Sequence, residues 1–156
     1  MPSPPRIAVV DYGAGNLRSV ARALLRSGLE PEVTGDPAAL REALGSAEGI
    51  RRYGSCALPM AEAKVEVAVD VSNRPYLVYR VELGNERIGS FDAALIEDFL
   101  YAFAHHAGLD LHVELRYGRN PHHVVEAIFK GTARALRAAL ERDPRVKGLP
   151  TVKGTL

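Results

Sequence analysis

The segment Lys64-Val65-Glu66-Val67-Ala68-Val69-Asp70-Val71 alternates between apolar and polar positions. Its four valines occupy every second position, and charged residues fill most of the positions between them. Because successive side chains of a strand point to opposite faces of a sheet, this pattern predicts a strand with one face in the core and one in water. A turn over residues 72–75 and a second strand over 76–83 follow, so a β-hairpin or meander is expected.

Two helices and a third strand are predicted after this hairpin. Apolar residues recur with helical spacing from 91 to 108, and residues 109–117 then alternate as a strand. A Gly-Arg-Asn-Pro break follows, and a long helix is predicted from 121 to 143. The order β-β-α-β-α predicts an α+β fold, in which a mixed or antiparallel sheet carries its helices on one face.

Residues 6–45 have a different order of elements. Residues 7–11 form a short apolar run closed by glycines, which predicts a buried strand. Helices are expected over 16–28 and 36–44, with a second strand over 30–34 between them. This part of the chain therefore reads as strand, helix, strand, helix.

Composition excludes several classes of protein. Of the 156 residues, 47% are apolar, and 20 Lys and Arg face 19 Asp and Glu, so the chain is unlike a disordered one. The net charge of +1 gives no electrostatic reason to expect nucleic acid or an anionic membrane as a partner. The single cysteine, Cys56, cannot form an intrachain disulfide, and no apolar run reaches the roughly 18 residues of a membrane span. A cytoplasmic soluble protein is the expectation.

The strongest candidate for chemistry is Asn120-Pro121-His122-His123-Val124-Val125-Glu126, at the start of the long helix. Either histidine can meet Glu126 on one helical face, through i,i+4 or i,i+3 spacing. Adjacent histidines point about 100° apart on a helix, so each is better placed to bind its own metal ion than to share one. Imidazole with carboxylate suits Mn, Zn, Fe or Ni. The alternative is a polar, exposed helix start in which Glu126 only supports the helix.

A second candidate site consists of cationic side chains, which are scattered through the loops and the long helix. If they gather at one pocket they would hold a phosphate, and otherwise they are ordinary surface charge. They are Arg51, Arg52, Arg74, Arg119, Lys130 and Lys153.

Residues from about 39 to 156 resemble the C-terminal half of the imidazoleglycerol-phosphate dehydratases. Five segments carry the resemblance, in the family's order. They are residues 49–55 (GIRRYGS), 59–63 (PMAEA), 72–76 (SNRPY), 117–127 (YGRNPHHVVEA) and 150–154 (PTVKG). The family is built from two similar β-β-α-β-α repeats, so the resemblance implies that this chain has the second repeat and the last helix of the first.

The resemblance also implies an activity and a set of site residues. The family is a lyase of histidine biosynthesis that dehydrates imidazole glycerol phosphate to imidazole acetol phosphate with Mn²⁺. Its sites lie between the subunits of a 24-subunit shell, which implies a homo-oligomer. The implied metal ligands are His122, His123, Glu126 and Asp98, where many members have histidine at the last position. The implied phosphate contacts are Arg52, Arg74, Lys130, Thr151 and Lys153, and the implied catalytic residues are His122, His123 and Glu62, the last as an active-site acid.

Residues 6 to about 37 resemble instead the start of the glutaminase subunit of imidazole glycerol phosphate synthase, in the string IAVVDYGAGNLRSV at 7–20. This implies a segment of a flavodoxin-like fold over residues 1–38, followed by a dehydratase repeat over 39–156. The glutaminase's cysteine elbow and later His and Glu have no counterpart, so glutamine hydrolysis is not expected. Residues 1–45 contain no histidine to replace the ligands of the missing repeat. Two hypotheses follow: a dehydratase, impaired by that loss, or a non-catalytic chimeric fusion protein that binds metal or phosphate without turnover.

Overall fold

The structure is a computed structural model that describes residues 6–10, 30–34, 47–83, 87–88 and 91–150. The chain divides into two compact units, residues 1–45 and residues 46–156. Of the first unit, the structure describes the backbone of two strands, β1 (Arg6–Val10) and β2 (Glu30–Thr34).

Strands β1 and β2 pair in parallel, with Arg6 opposite Glu30 and Val10 opposite Thr34. The apolar run predicted a strand over 7–11, a second strand was expected over 30–34, and both strands are confirmed. In general, two parallel strands are joined by a crossover connection rather than by a tight turn. The helices expected over 16–28 and 36–44 lie outside the described residues.

The second unit contains a four-stranded sheet, a two-stranded ribbon and two described helices. In chain order the elements are β3 (Tyr53–Met60), β4 (Ala63–Asp70), β5 (Tyr76–Arg80), β6 (Arg87–Ile88), β7 (Phe91–Asp92), α1 (Leu95–Ala107), β8 (Asp110–Tyr117) and α2 (Pro121–Leu140). The sheet order is β3-β4-β8-β5, and β6 pairs with β7. Strand β4 is antiparallel to both β3 and β8, whereas β5 is parallel to β8. The expected mixed sheet is confirmed.

The expected hairpin between residues 64–71 and 76–83 is wrong, because β8 lies between β4 and β5. The turn after β4 is bonded to the start of β8 instead of folding back on β4. Asn73 adopts a left-handed conformation (φ 56°), and its backbone N–H donates to the carbonyl of Gly108 at 2.9 Å. The N–H of Tyr76 donates to the carbonyl of Leu109 at 3.0 Å. These bonds carry the chain across the end of β8 and place β5 on its far side.

Strand β3 was not among the elements predicted from the sequence. Its sequence, YGSCALPM, contains Gly54 and Pro59, residues that weaken a strand pattern. Proline is tolerated here because β3 is at the edge of the sheet. Alternate side chains of β3 are half-buried toward the helices, and those between them are exposed.

Both helices cover one face of the sheet, as expected. The buried side chains of β4 and β8 meet those of α1 and α2 in a single core, and the rings of Phe99 and Phe129 lie 5.5 Å apart between the two helices. The largest fully buried side chains are Ile96, Leu100, Leu109, Leu111, Ile128, Val65, Val113 and Val124. Helix α1 ends at Gly108, which caps it in the left-handed conformation (φ 69°).

The backbones of α2 and β3 approach each other closely at a glycine. A Cβ on Gly54 would overlap the carbonyl oxygen of Ala135 and lie 2.6 Å from the backbone nitrogen of Ala139. Only glycine fits at this contact, which fixes the second half of α2 against the first residues of β3. Neither α1 nor α2, the helices among the described residues, has the length and apolarity needed to cross a membrane.

Candidate functional site

The site is built where β8 ends, α2 begins and the β3–β4 turn closes. Gly118, in the connection from β8 to α2, has φ +151°, and a Cβ there would lie 2.7 Å from the Cβ of Ala63. This close contact holds the connection against the turn. Glu62 of the turn therefore lies beside the first residues of α2, although 58 positions separate it from Asn120.

Helix α2 starts as its sequence predicts. The Asn120 side chain accepts a hydrogen bond from the backbone N–H of His122 at 3.0 Å, and Pro121 occupies the first turn. This is an N-cap followed by a proline whose missing N–H costs nothing there. Val124 packs into the core, so His122 and His123 lie on the solvent side of the first turn, 64% and 32% exposed.

Glu62 connects the turn to the start of α2 through both of its carboxylate oxygens. Oε1 accepts from the backbone N–H of Asn120 at 2.8 Å and of Arg119 at 3.3 Å. Oε2 lies 2.7 Å from Nδ1 of His123. The bond from the Asn120 backbone and the bond to His123 lower the pKa of Glu62 to about 2. At neutral pH Glu62 is therefore a carboxylate that accepts hydrogen bonds rather than a proton donor.

A second contact between a histidine and a carboxylate joins the first turn of α2 to its next turn. Nε2 of His122 is 3.4 Å from Oε2 of Glu126, at the expected i,i+4 spacing. The other oxygen of Glu126, Oε1, lies 2.6 Å from Nζ of Lys130. The hydrogen bond and charge of Lys130 lower the pKa of the Glu126 carboxyl.

Each histidine thus has a carboxylate of its own, and the two ring centroids lie 6.1 Å apart. Imidazole and carboxylate are donors of the kind that Mn²⁺ accepts. Within the described ranges, however, no three His, Cys, Asp or Glu side chains are arranged to hold one ion. The residues fit such a metal in chemical type, and they provide its donors in pairs.

Asp98, the fourth expected ligand, lies in the first turn of α1 and is exposed. Helix α1 ends at Ala107 and β8 begins at Asp110, so it is the last turn of α1, and not the turn with Asp98, that adjoins β8 along the chain. Among the described residues, no hydrogen bond or ion pair joins Asp98 to the histidines or to Glu126.

The expected phosphate contacts are divided between the two ends of the sheet. Lys130 lies beside Glu126, near the histidines. Arg52 precedes β3 and Arg74 follows β4, so both lie at the opposite end, roughly 25 Å away along an eight-residue strand. Thr151 and Lys153 lie outside the described residues, and Thr151 follows Pro150 directly in the sequence.

Arg52 is engaged by a partner that the sequence did not predict. Its Nε and Nη2 donate to the two oxygens of Asp70 at 2.6 and 3.0 Å, and Nη1 donates to the carbonyl of Pro150 at 2.9 Å. The guanidinium also lies 4.9 Å from the ring centroid of Tyr53. The strand alternation placed Asp70 on the polar face, but no local spacing could indicate that it binds Arg52.

Comparison with known proteins gives concordant matches. The family model described as imidazoleglycerol-phosphate dehydratase matches residues 35–136. An imidazoleglycerol-phosphate dehydratase of Bacillus licheniformis is 53% identical over 118 residues, which are 76% of this chain and 61% of that protein. The chain thus spans about three fifths of the length of the curated relatives it matches.

Solved structures agree with the sequence matches. The crystal structure of imidazoleglycerol-phosphate dehydratase from Staphylococcus aureus superposes with a TM-score of 0.70 and 32% identity, covering 91% of this chain and 92% of that one. The enzyme from Pyrococcus furiosus, in complex with (S)-C348, gives a TM-score of 0.65 and 38% identity over 77% of this chain and 65% of that one.

Proposed function

Because this chain belongs to the imidazoleglycerol-phosphate dehydratase family, we propose that it is a hydro-lyase of histidine biosynthesis. It converts imidazole glycerol phosphate to imidazole acetol phosphate with Mn²⁺, in the cytoplasm. The observation that carries the proposal is the start of α2, where His122 and His123 each face a carboxylate inside the matched residues.

In this proposal His122, His123, Glu126 and Asp98 hold Mn²⁺, and the remaining donors come from outside these residues. When bound, the metal would supply Lewis-acid chemistry toward the imidazole of the substrate. Lys130, one turn after Glu126 and paired with it, is proposed to bind an anionic group of the substrate beside the proposed ligands.

The other phosphate contacts of the proposal are Arg52, Arg74, Thr151 and Lys153. The two described arginines lie roughly 25 Å from the histidines of the same chain. A glycerol chain, which separates the imidazole and phosphate ends of the substrate, cannot cover that distance. The proposal therefore includes a homo-oligomer, in which the arginine end of one copy meets the histidine end of another.

The N-terminal residues are proposed to be a glutaminase-like segment over 1–38, joined to the dehydratase repeat over 39–156. The parallel pairing of β1 and β2 is what such a strand, helix, strand segment requires. This segment has no histidine that could replace the metal ligands of a first repeat. We therefore propose that the dehydratase activity of this chain is lower than that of relatives that have both repeats.

The second candidate is a chimeric protein that binds metal or phosphate without turnover. It is favoured by the arrangement of donors among residues 47–83, 87–88 and 91–150, where histidines and carboxylates meet in pairs and not in larger groups. Catalytic metal sites such as those of zinc have three protein ligands, so a pair of ligands would bind an ion without the coordination that catalysis needs.

One experiment separates the two candidates. The purified chain is saturated with Mn²⁺, its metal content is determined, and formation of imidazole acetol phosphate is followed. Turnover that is lost in His123→Ala and kept in His112→Ala, an exposed histidine on the open face of the sheet, supports the dehydratase. Bound Mn²⁺ without turnover supports the second candidate. A metal content unchanged in both His122→Ala and His123→Ala would contradict the ligand assignment in either candidate.

A further inference from the structure

Glu62 is held in place by hydrogen bonds at the start of α2. Its Oε1 accepts two backbone N–H groups that precede the first turn of α2, those of Asn120 and Arg119. The carboxylate therefore has one oxygen bound to the helix start and the other free to contact a side chain. That side chain is His123, whose Nδ1 lies 2.7 Å from Oε2.

Because the partner of His123 is a carboxylate, it determines which nitrogen of the His123 ring holds the proton. An ionised carboxylate only accepts hydrogen bonds, so the nitrogen facing it, Nδ1, is the one that holds the proton. In the neutral ring the other nitrogen, Nε2, then has the free lone pair. Nε2 points away from Glu62 and is the atom available to a metal or a substrate.

His122 provides an internal comparison. The carboxylate near it, Glu126, faces Nε2 and not Nδ1, at the longer distance of 3.4 Å. In the part of the chain that the structure describes, no carboxylate contacts Nδ1 of His122. The two adjacent histidines therefore differ in what fixes their tautomer.

We propose that Glu62 is a positioning residue, which holds His123 as the Nδ1–H tautomer and turns its Nε2 outward as a metal ligand. The proposal rests on the metal role of His123 in the proposed function. It replaces the expected role of Glu62 as an active-site acid with one exerted through His123. Carboxylates hydrogen-bonded to ligating histidines fix ring orientation and raise ligand basicity in this way.

The test uses the metal-free full chain labelled with ¹⁵N, at a pH where the histidine rings are neutral. Ring ¹⁵N–¹H spectra report the tautomer of each histidine directly. We expect His123 to be Nδ1–H in the wild-type chain and to shift toward Nε2–H in Glu62→Ala, with His122 unchanged. Glu66→Ala is the matched control, because Glu66 lies on the adjoining strand β4 and is paired with Lys64 and Arg116 instead of with α2.

The second measurement is Mn²⁺ affinity, from the electron paramagnetic resonance signal of the free ion. We expect Glu62→Ala to weaken binding about 10- to 100-fold and Glu66→Ala to leave it unchanged. Glu62→Gln, which keeps an acceptor for the Asn120 N–H and loses the charge, is expected to weaken binding while α2 keeps its amide spectrum. This variant separates the effect on His123 from a loss of folding.

Three outcomes would overturn the proposal: an unchanged His123 tautomer in Glu62→Ala, unchanged Mn²⁺ affinity in that variant, or equal effects of Glu62→Ala and Glu66→Ala. A different measurement tests the proposed function on which this proposal rests. If His123→Ala binds Mn²⁺ as tightly as the wild-type chain, the ligand role of His123 is wrong, whatever the tautomer spectra show.

Discussion

Arg52, the residue before β3, and Asp70, the last residue of β4, form a bidentate pair at the open end of the β3–β4 hairpin. Two nitrogens of the guanidinium donate to the two carboxylate oxygens at 2.6 and 3.0 Å, and the side chains are only 12% and 19% exposed. The third nitrogen donates to the carbonyl of Pro150. The pair thus connects the hairpin to the residue that precedes the expected phosphate contacts Thr151 and Lys153.

Replacement of Asp70 by asparagine is expected to lower the free energy of unfolding by about 1 to 3 kcal/mol, because it leaves a largely buried guanidinium without its charged acceptor. Urea denaturation measures the change. Glu66→Gln, on the same strand, removes only exposed ion pairs and is expected to cost less than about 1 kcal/mol. If both variants lost the same free energy of unfolding, the Arg52–Asp70 pair would contribute no more to stability than the exposed ion pairs of Glu66.

Lys130→Met is expected to change metal and phosphate binding in opposite directions. Nζ of Lys130 lies 2.6 Å from Oε1 of Glu126, so it would compete for that oxygen with a cation bound at the proposed site. Mn²⁺ should bind several-fold more tightly to the variant, and inorganic phosphate more weakly, in calorimetric titrations. The i,i+4 pair itself contributes only about 0.2 to 0.5 kcal/mol to stability. Arg134→Met, one turn further along α2, is the control, and a parallel change in both variants would contradict a specific role for Lys130.

Gly54→Ala is expected to destabilise the second unit by about 1 to 3 kcal/mol, since the new methyl group meets backbone atoms of Ala135 and Ala139 that cannot rotate away. Gly131→Ala should cost less, because its Cβ would lie 3.0 Å from a side-chain methyl of Val67 and alanine favours a helix. Thermal unfolding of both variants checks the order. A Gly54→Ala protein as stable as the wild type would mean that α2 and β3 are not held at this distance.

The stability of the second unit should depend on Asp143 under acidic conditions. Bonds from the side chain and backbone of Arg145 lower the pKa of the Asp143 carboxyl well below its ordinary value. A lowered folded pKa favours the folded state above the unfolded pKa of about 3.9. That contribution is lost progressively as the pH falls below this value toward the folded pKa.

Asp143→Asn should therefore unfold at a lower urea concentration than the wild-type chain near pH 7, and the gap should shrink as the pH falls below about 4. Denaturation midpoints at pH 7, 4 and 3 measure this. If the difference between the two denaturation midpoints did not change with pH, the pH-dependent stability would not come from Asp143.

The sequence predicted those elements whose side-chain pattern is local. Strands β4 and β8 were evident because apolar residues alternate, and α2 was evident from the Asn120–Pro121 start and its helical spacing. Strand β3 was not, because Gly54 and Pro59 interrupt the pattern for reasons of packing and edge position. The order of strands depends on bonds such as that from Asn73 to Gly108, which no periodicity encodes.

The candidate site was predictable to the same extent. The i,i+4 spacing of His122 and Glu126 is a property of one helix, and the structure brings those side chains together. The contact between Glu62 and His123 joins positions 61 residues apart, so it follows only from the packing of the β3–β4 turn on α2. The contact between Arg52 and Asp70 is likewise tertiary.

The close approach of α2 to Gly54 has a consequence at the other end of that helix. Because the rise per residue of an α-helix is fixed, a displacement imposed near Ala135 is expected to move the first turn as well, where His123 lies beside Glu62. A bulkier residue in β3 could therefore misalign the histidines while leaving every one of their neighbours unchanged. If the proposed ligands hold Mn²⁺, random mutagenesis for loss of metal binding should therefore yield variants in two separate clusters. One lies around these ligands and the other at the contact of α2 with Gly54.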